Sequence, residues 1–137
     1  MKPPLLLDTH VWLWWLLGQP ELPARERDAL DALAAAGTPP ALSVISLWEA
    51  QMLASKGRLQ IDVPLTHWLP TAAANEVVTL IPMDVAVILA LDGLPAGFHG
   101  DPADRIIVAS ARARDLPLAT KDGNIRRSRA ARLWKAQ

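Results

Sequence analysis

Leu5-Leu6-Leu7-Asp8-Thr9-His10-Val11-Trp12-Leu13-Trp14-Trp15-Leu16-Leu17-Gly18 is the stretch on which the reading of the fold turns. Leu5–Leu7 is short, apolar and without polar alternation, the pattern of a strand buried on both faces, as in a parallel sheet. Asp8 ends the run. Behind it Thr9 can cap a helix over about Thr9–Leu17, which Gly18 and Pro20 close. A carboxylate between a buried strand and an apolar helix has little access to water, and burying it unpaired is costly. A buried strand, an acid at the joint and a helix together open an α/β chain, whose ligand would lie beyond the carboxyl ends of the strands.

The pattern repeats outward from there. Pro23 begins a helix to about Ala36, which Gly37, Pro39 and Pro40 stop. Ala41–Val44 reads as a second strand, and Ser46 with Glu49 reads as a capping box at the head of a helix reaching Lys56–Gly57. A helix over Leu65–Asn75, with Pro70 near its first turn, leads to a third strand at Val77–Ile81. A short helix at Val85–Leu91 precedes the Gly- and Pro-containing loop Asp92–Gly100. Pro102 then opens a helix over Ala103–Arg114, Leu116–Thr120 is a fourth strand, and 124–137 is a basic, partly helical tail. The expectation is one α/β domain over 1–137, with a parallel sheet of four to five strands flanked by helices.

Composition narrows the chemistry. The 137 residues are 51% hydrophobic and 20% charged, as in a globular domain. The absence of cysteine excludes disulfides, thiolate metal sites and thiol catalysis. His10, His67 and His99 share no metal-ligand spacing, so a metal would have to lean on oxygen. The apolar N-terminal run is broken by Asp8 and His10 and falls short of the roughly 20 residues that a spanning helix needs, so a cytoplasmic protein without a membrane segment is expected. Net charge is zero but unevenly spread. Residues 1–104 carry 12 acids against 5 bases, whereas 105–137 carry 2 acids against 9 bases. The basic end is a local footprint of the kind that binds nucleic acid.

Five acids fall where the strands end or the following helices begin: Asp8, Glu49, Asp101, Asp104 and Asp122. Each has a local explanation, since acids suit helix heads. Their convergence on one edge of a sheet is better explained by a hard divalent cation, because clustered carboxylates raise one another's pKa unless Mg²⁺ or Mn²⁺ neutralises them. Phosphodiester hydrolysis is the chemistry that uses such sites. Thr9 could cap its helix or orient a water, Arg105 could pair with an acid or a phosphate, and His10 or His99 could move protons. Arg126, Arg127 and Arg129, just past Asp122, are candidates for gripping an RNA backbone. The helix carrying Trp12, Trp14 and Trp15 is apolar nearly all round, as a deeply buried helix or a homodimer contact would be.

The segments Leu6-Leu7-Asp8-Thr9-His10-Val11-Trp12, Ser46-Leu47-Trp48-Glu49, Gly57-Arg58-Leu59, Asp101-Pro102-Ala103-Asp104-Arg105 with Ala109, and Thr120-Lys121-Asp122 resemble, in order, the motifs of PIN-domain ribonucleases. The likeness is strongest to bacterial toxins of the VapC type. It implies an Mg²⁺- or Mn²⁺-dependent endoribonuclease that acts on RNA and is restrained by a cognate antitoxin. It also implies that the metal-binding and catalytic quartet is Asp8, Glu49, Asp104 and Asp122, with Asp101, Thr9 and Arg105 auxiliary. Two departures stand out: Asp122 occupies the family's most variable position, and the closing strand, usually apolar, is Arg132-Leu133-Trp134-Lys135 here. Two alternatives stay open on sequence alone. One is a PIN-like module that binds RNA or protein without cutting. The other is an aspartate-dependent phosphoryl-transfer protein, although the second Asp that haloacid-dehalogenase-like enzymes place two residues after the first is His10.

Overall fold

Leu5, Leu6 and Leu7 are completely buried, and the sheet is built around them. The computed structural model describes residues 2–98 and 100–136. In chain order the elements are β1 (Leu6–Leu7), α1 (Thr9–Leu17), α2 (Ala24–Ala35), β2 (Ala41–Ser43), α3 (Val44–Ser55), α4 (Leu65–Ala72), β3 (Thr79–Ile81), α5 (Val85–Asp92), α6 (Pro102–Arg114), β4 (Leu118–Ala119) and α7 (Gly123–Ser128). The strands lie in the order β3-β2-β1-β4, with every pairing parallel. Leu7 stands opposite Leu42 on one side and Ala119 on the other.

Side chains alternate across a strand, so the three leucines feed two cores. Leu5 and Leu7 pack with Trp12, Trp15, Leu30, Leu42 and Ala72, which brings α1, α2 and α4 onto one face. Leu6 packs with Ala41, Val87, Ile107, Val108 and Leu118, which brings α5 and α6 onto the other. Full burial of one such aliphatic side chain stabilises by about 1.5–3 kcal/mol. The resulting three layers match the expected α/β class. The fifth strand is reduced to one bridge: Leu133 pairs in parallel with Leu118, which donates to the Arg132 carbonyl (2.7 Å) and accepts from the Trp134 N–H (2.9 Å).

Several local expectations are corrected. Asp8, not Thr9, caps α1; it stays extended (φ −66°, ψ 153°) while Thr9 becomes the first helical residue. Helix α3 starts directly after β2, because Ser43 caps it by accepting from the Ile45 N–H (3.2 Å). Ser46 and Glu49 therefore form no capping box, and Glu49 lies in the second helical turn instead of the first. Helix α4 is entered at Pro64 and ends at Ala72, with Pro70 inside its body. Strands β3 and β4 are shorter than their apolar runs.

Helix α1 owes its apolar surface to burial. Trp12 and Trp15 are buried, and their indole N–H groups donate to the Ala72 carbonyl (3.1 Å) and to Asp31 Oδ1 (2.8 Å). The large exposed apolar residues lie elsewhere: Trp48 on α3, Val63 before α4, and a group of Leu80, Met83, Val85, Ile88 and Leu89 on β3, α5 and the segment between them. No helix among the described residues is long and apolar enough to cross a membrane.

Candidate active site

The sheet register fixes the first contact. Asp8 is one residue past Leu7, Thr120 is one past Ala119, and Leu7 and Ala119 are partners. The Thr120 hydroxyl donates to Asp8 Oδ2 (2.7 Å), and the Thr9 N–H donates to Oδ1 (2.8 Å). The same Thr120 oxygen accepts from the Asp122 N–H (3.0 Å), so one hydroxyl organises two acids. On the other side of Asp8, the Thr9 hydroxyl donates to Glu49 Oε1 and lies 2.7 Å from Ser46 Oγ. Thr9 has one hydroxyl proton. With it on Glu49, Ser46 must donate to Thr9, giving a directed chain Ser46 → Thr9 → Glu49. Thr9, Ser46 and Thr120 are all buried, as are Asp8 and Glu49.

The remaining acids come from helix heads. Asp101 caps α6, accepting from the Asp104 N–H (2.8 Å), and is exposed. Asp122 caps α7, accepting from the Ile125 N–H (2.9 Å). Asp104, half-buried in the first turn of α6, has its pKa pushed up to about 7, first by burial and then by Asp101, Asp8, Asp122 and Glu49. Burial likewise raises Asp8, outweighing its hydrogen bond from Thr120 and the nearby His10. Burial raises Glu49 too, with Asp8 and Asp101 adding to it against the Thr9 hydrogen bond. Five carboxylates thus lie close enough to influence one another beyond the strand ends. None of them takes part in a salt bridge among the described residues. Nor do any three described acids or histidines already converge as a finished ligand set. Asp8, Glu49, Asp101 and Asp122 are turned toward hydroxyls and amides of the protein.

The other candidates spread out. His10 is exposed, with its ring tilted against Trp14 (centroids 5.8 Å apart), and it favours the charged forms of Asp8 and Glu49. His99 lies outside the described residues. Arg105 is exposed and forms no salt bridge among them. Arg126 donates to the Thr120 carbonyl (3.3 Å) and Arg127 to Asn124 (2.7 Å), while Arg129 lines a separate cavity with Arg112 and Arg132. Sequence reasoning missed Thr120 and gave Ser46 only a capping role. The available signal was a hydroxyl close to an acid in each motif: Thr9 after Asp8, Ser46 three before Glu49, and Thr120 two before Asp122.

Comparison with known proteins identifies the family and the fold. The PIN domain family profile matches residues 5–130. Ribonuclease VapC22 of Mycobacterium tuberculosis (strain ATCC 25618 / H37Rv) is 34% identical over 129 residues, spanning 93% of this chain and 94% of that protein. A crystal structure of VapBC2 from Rickettsia felis bound to a DNA fragment from their promoter superposes with a TM-score of 0.70 at 19% identity, covering 94% of this chain and 96% of the matched one.

Proposed function

This chain belongs to the PIN-domain family, and from that premise we propose that it is a divalent-cation-dependent endoribonuclease, the toxin of a toxin–antitoxin pair. The observation that carries the reading is the hydroxyl-held set of acids past β1 and β4 and in the second turn of α3, faced by Asp104 from the head of α6. The ribonuclease relative supports RNA as substrate, and the toxin–antitoxin neighbour is consistent with a cognate antitoxin as partner.

The residues fit Mg²⁺ or Mn²⁺. All donors are oxygens, and a carboxyl pushed up to about 7, first by burial and then by four acidic neighbours, sits where a hard cation would offset the crowded negative charge. Asp8, Glu49, Asp104 and Asp122 would hold it, with Asp101 at the rim. When bound, the cation supplies the charge that polarises water and phosphoryl oxygen. The chain's own work is positioning. Thr120 fixes the rotamer of Asp8, and the Ser46–Thr9 relay fixes Glu49. At neutral pH Asp104 can hold a proton until positive charge arrives.

Arg126, Arg127 and Arg129 are proposed as phosphate contacts. They line three different cavities around α7, so they would follow a backbone and not clamp one phosphate. Homodimerisation is proposed through the exposed apolar residues of α5, since α1 is used in the core. Work on RNA beside an antitoxin would be cytoplasmic. Cleavage of a fluorophore–quencher RNA tests the proposal: activity should require Mg²⁺ or Mn²⁺, vanish in EDTA and vanish in Asp8→Asn. No cleavage by wild type with either cation would leave a PIN module that does not cut, and equal cleavage by wild type and Asp8→Asn would remove Asp8 from the site.

A further inference from the structure

Three tryptophans of α1 have different fates. Trp12 and Trp15 are buried with their indole N–H groups hydrogen-bonded inside the protein. Trp14 is half-buried. Its ring rests against exposed His10, and both line a cavity of about 420 Å³ between the end of α1 and the end of α3. That volume falls in the range of small-molecule sites. The cavity lies beside the acids: His10, which lines it, is close enough to Asp8 and Glu49 to favour their charged forms. Arg58 lines the other wall. Gly57, at φ +69°, turns the chain there so that the Arg58 N–H closes on the Leu53 carbonyl (2.8 Å). Gly57-Arg58-Leu59 is the one motif of the sequence for which the acid cluster finds no use. Leucines from α1 and α3 supply an apolar floor, while Gln19 and Glu21 add hydrogen-bonding edges.

We infer that this cavity is a subsite for one unpaired base of the RNA, adjacent to the phosphate to be cut. Trp14 and His10 provide the stacking platform, Arg58 the phosphate contact, and Gln19 and Glu21 the base-edge contacts. Every base has a flat face to stack on Trp14 and brings a phosphate for Arg58, neither of which an aliphatic side chain of a protein partner supplies. The assignment rests on the nuclease reading, so its test has two separable arms.

In the first arm, wild type, Trp14→Leu and Arg58→Ala digest a fully randomised RNA oligonucleotide pool with Mg²⁺, and the cut sites are sequenced. Wild type should enrich one base class at a fixed position beside the cut. Trp14→Leu should lower that enrichment by about fivefold or more, the lower end of what loss of one base–aromatic stack produces, whereas Arg58→Ala should slow cutting about equally at all sequences. Arg58 is exposed, so its variant keeps the test open if Trp14→Leu fails to fold. In the second arm, the indole N–H resonances of chelator-treated protein are followed while each of the four ribonucleoside 5′-monophosphates is added. The Trp14 signal should shift saturably while those of Trp12 and Trp15 stay still. Either result supports the subsite. An uncut pool with a Trp14-specific shift would remove the nuclease reading and keep a nucleotide site. An unaltered cleavage profile together with an unmoved Trp14 signal overturns the inference, and if Trp14→Leu then weakens binding of a cognate antitoxin peptide, the cavity belongs to that partner.

Discussion

Helix α6 carries acids at its head and bases at its tail, and the two ends of the molecule treat charge differently. Both placements suit the helix dipole. At the tail, each acid has a basic neighbour: Arg114 pairs with Asp84 (2.6 Å), Arg132 with Asp115 (3.1 Å), and Lys2 approaches Asp115 (3.8 Å). Arg112 completes that end by donating to the Ala130 carbonyl (2.8 Å). At the head, Asp101 and Asp104 join Asp8, Glu49 and Asp122, and the donors that reach this group are hydroxyls and amides alone. Folding explains the tail. It does not explain the head, where burying like charges together works against the folded state. The acids at the tail of α6 are paired with bases of the chain, and those at its head take part in no salt bridge among the described residues.

The sharpest way to break this contrast is to neutralise one acid at each end. Asp8→Asn and Asp104→Asn should each lower RNA cleavage by at least about a hundredfold, the scale on which one preorganised charge-stabilising group acts. Asp115→Asn should leave the rate within about threefold, as expected for an exposed pair that contributes little beyond local stability. Comparable losses at both ends would mean that the rates report folding and not the site. A smaller effect is expected from the hydroxyls. Thr120→Val and Thr9→Val keep the volume but release Asp8 or Glu49 from a fixed rotamer, and each should cost about 10–100-fold in cation affinity or activity. Unchanged cation titrations in both variants would reduce these threonines to packing.

How far the sequence foretold each end follows from how local its signals are. Leu5–Leu7 and its neighbours announced the sheet because apolar runs bounded by Pro and Gly are local features. The acids were legible because they sit at those same boundaries. The capping of α3 was misread because Ser43 and Ser46 are both plausible caps, and only the end of β2 chooses between them. Thr120 was invisible for a related reason: its bond to Asp8 spans 112 residues and exists only through the β1–β4 register. The closing edge escaped a strand assignment because Arg132 and Lys135 flank its one bridging residue.

Two weaker effects refine the contrast. In metal-free buffer the raised pKa of Asp104 works against stability. The folded state holds this proton up to about pH 7, whereas the unfolded chain releases it near pH 4, so the penalty grows across that window and is complete above it. Asp104→Asn should therefore melt a few degrees above wild type at pH 8 in chelator, and the gap should close toward pH 4. A gap that widens on acidification would show that Asp104 is stabilised, not strained, by its surroundings. Smallest of all, Arg114→Ala should barely move the denaturant midpoint and leave cation binding untouched, because its pair with Asp84 is exposed to solvent. A loss of cation affinity in Arg114→Ala would couple the two ends of α6, which the separation of their charges does not anticipate.

The most direct test of the central contrast is a Mn²⁺ titration followed by electron paramagnetic resonance, comparing wild type, Asp8→Asn, Asp104→Asn, Asp84→Asn and Asp115→Asn, each checked for folding by circular dichroism. Wild type and the two tail variants should bind the ion alike and gain about 2.7 kcal/mol of stability at a hundredfold excess over Kd, while the two head variants lose at least tenfold in affinity. Equal Mn²⁺ binding by all five proteins, or none by wild type, would contradict the account and leave the unpaired acids without a ligand.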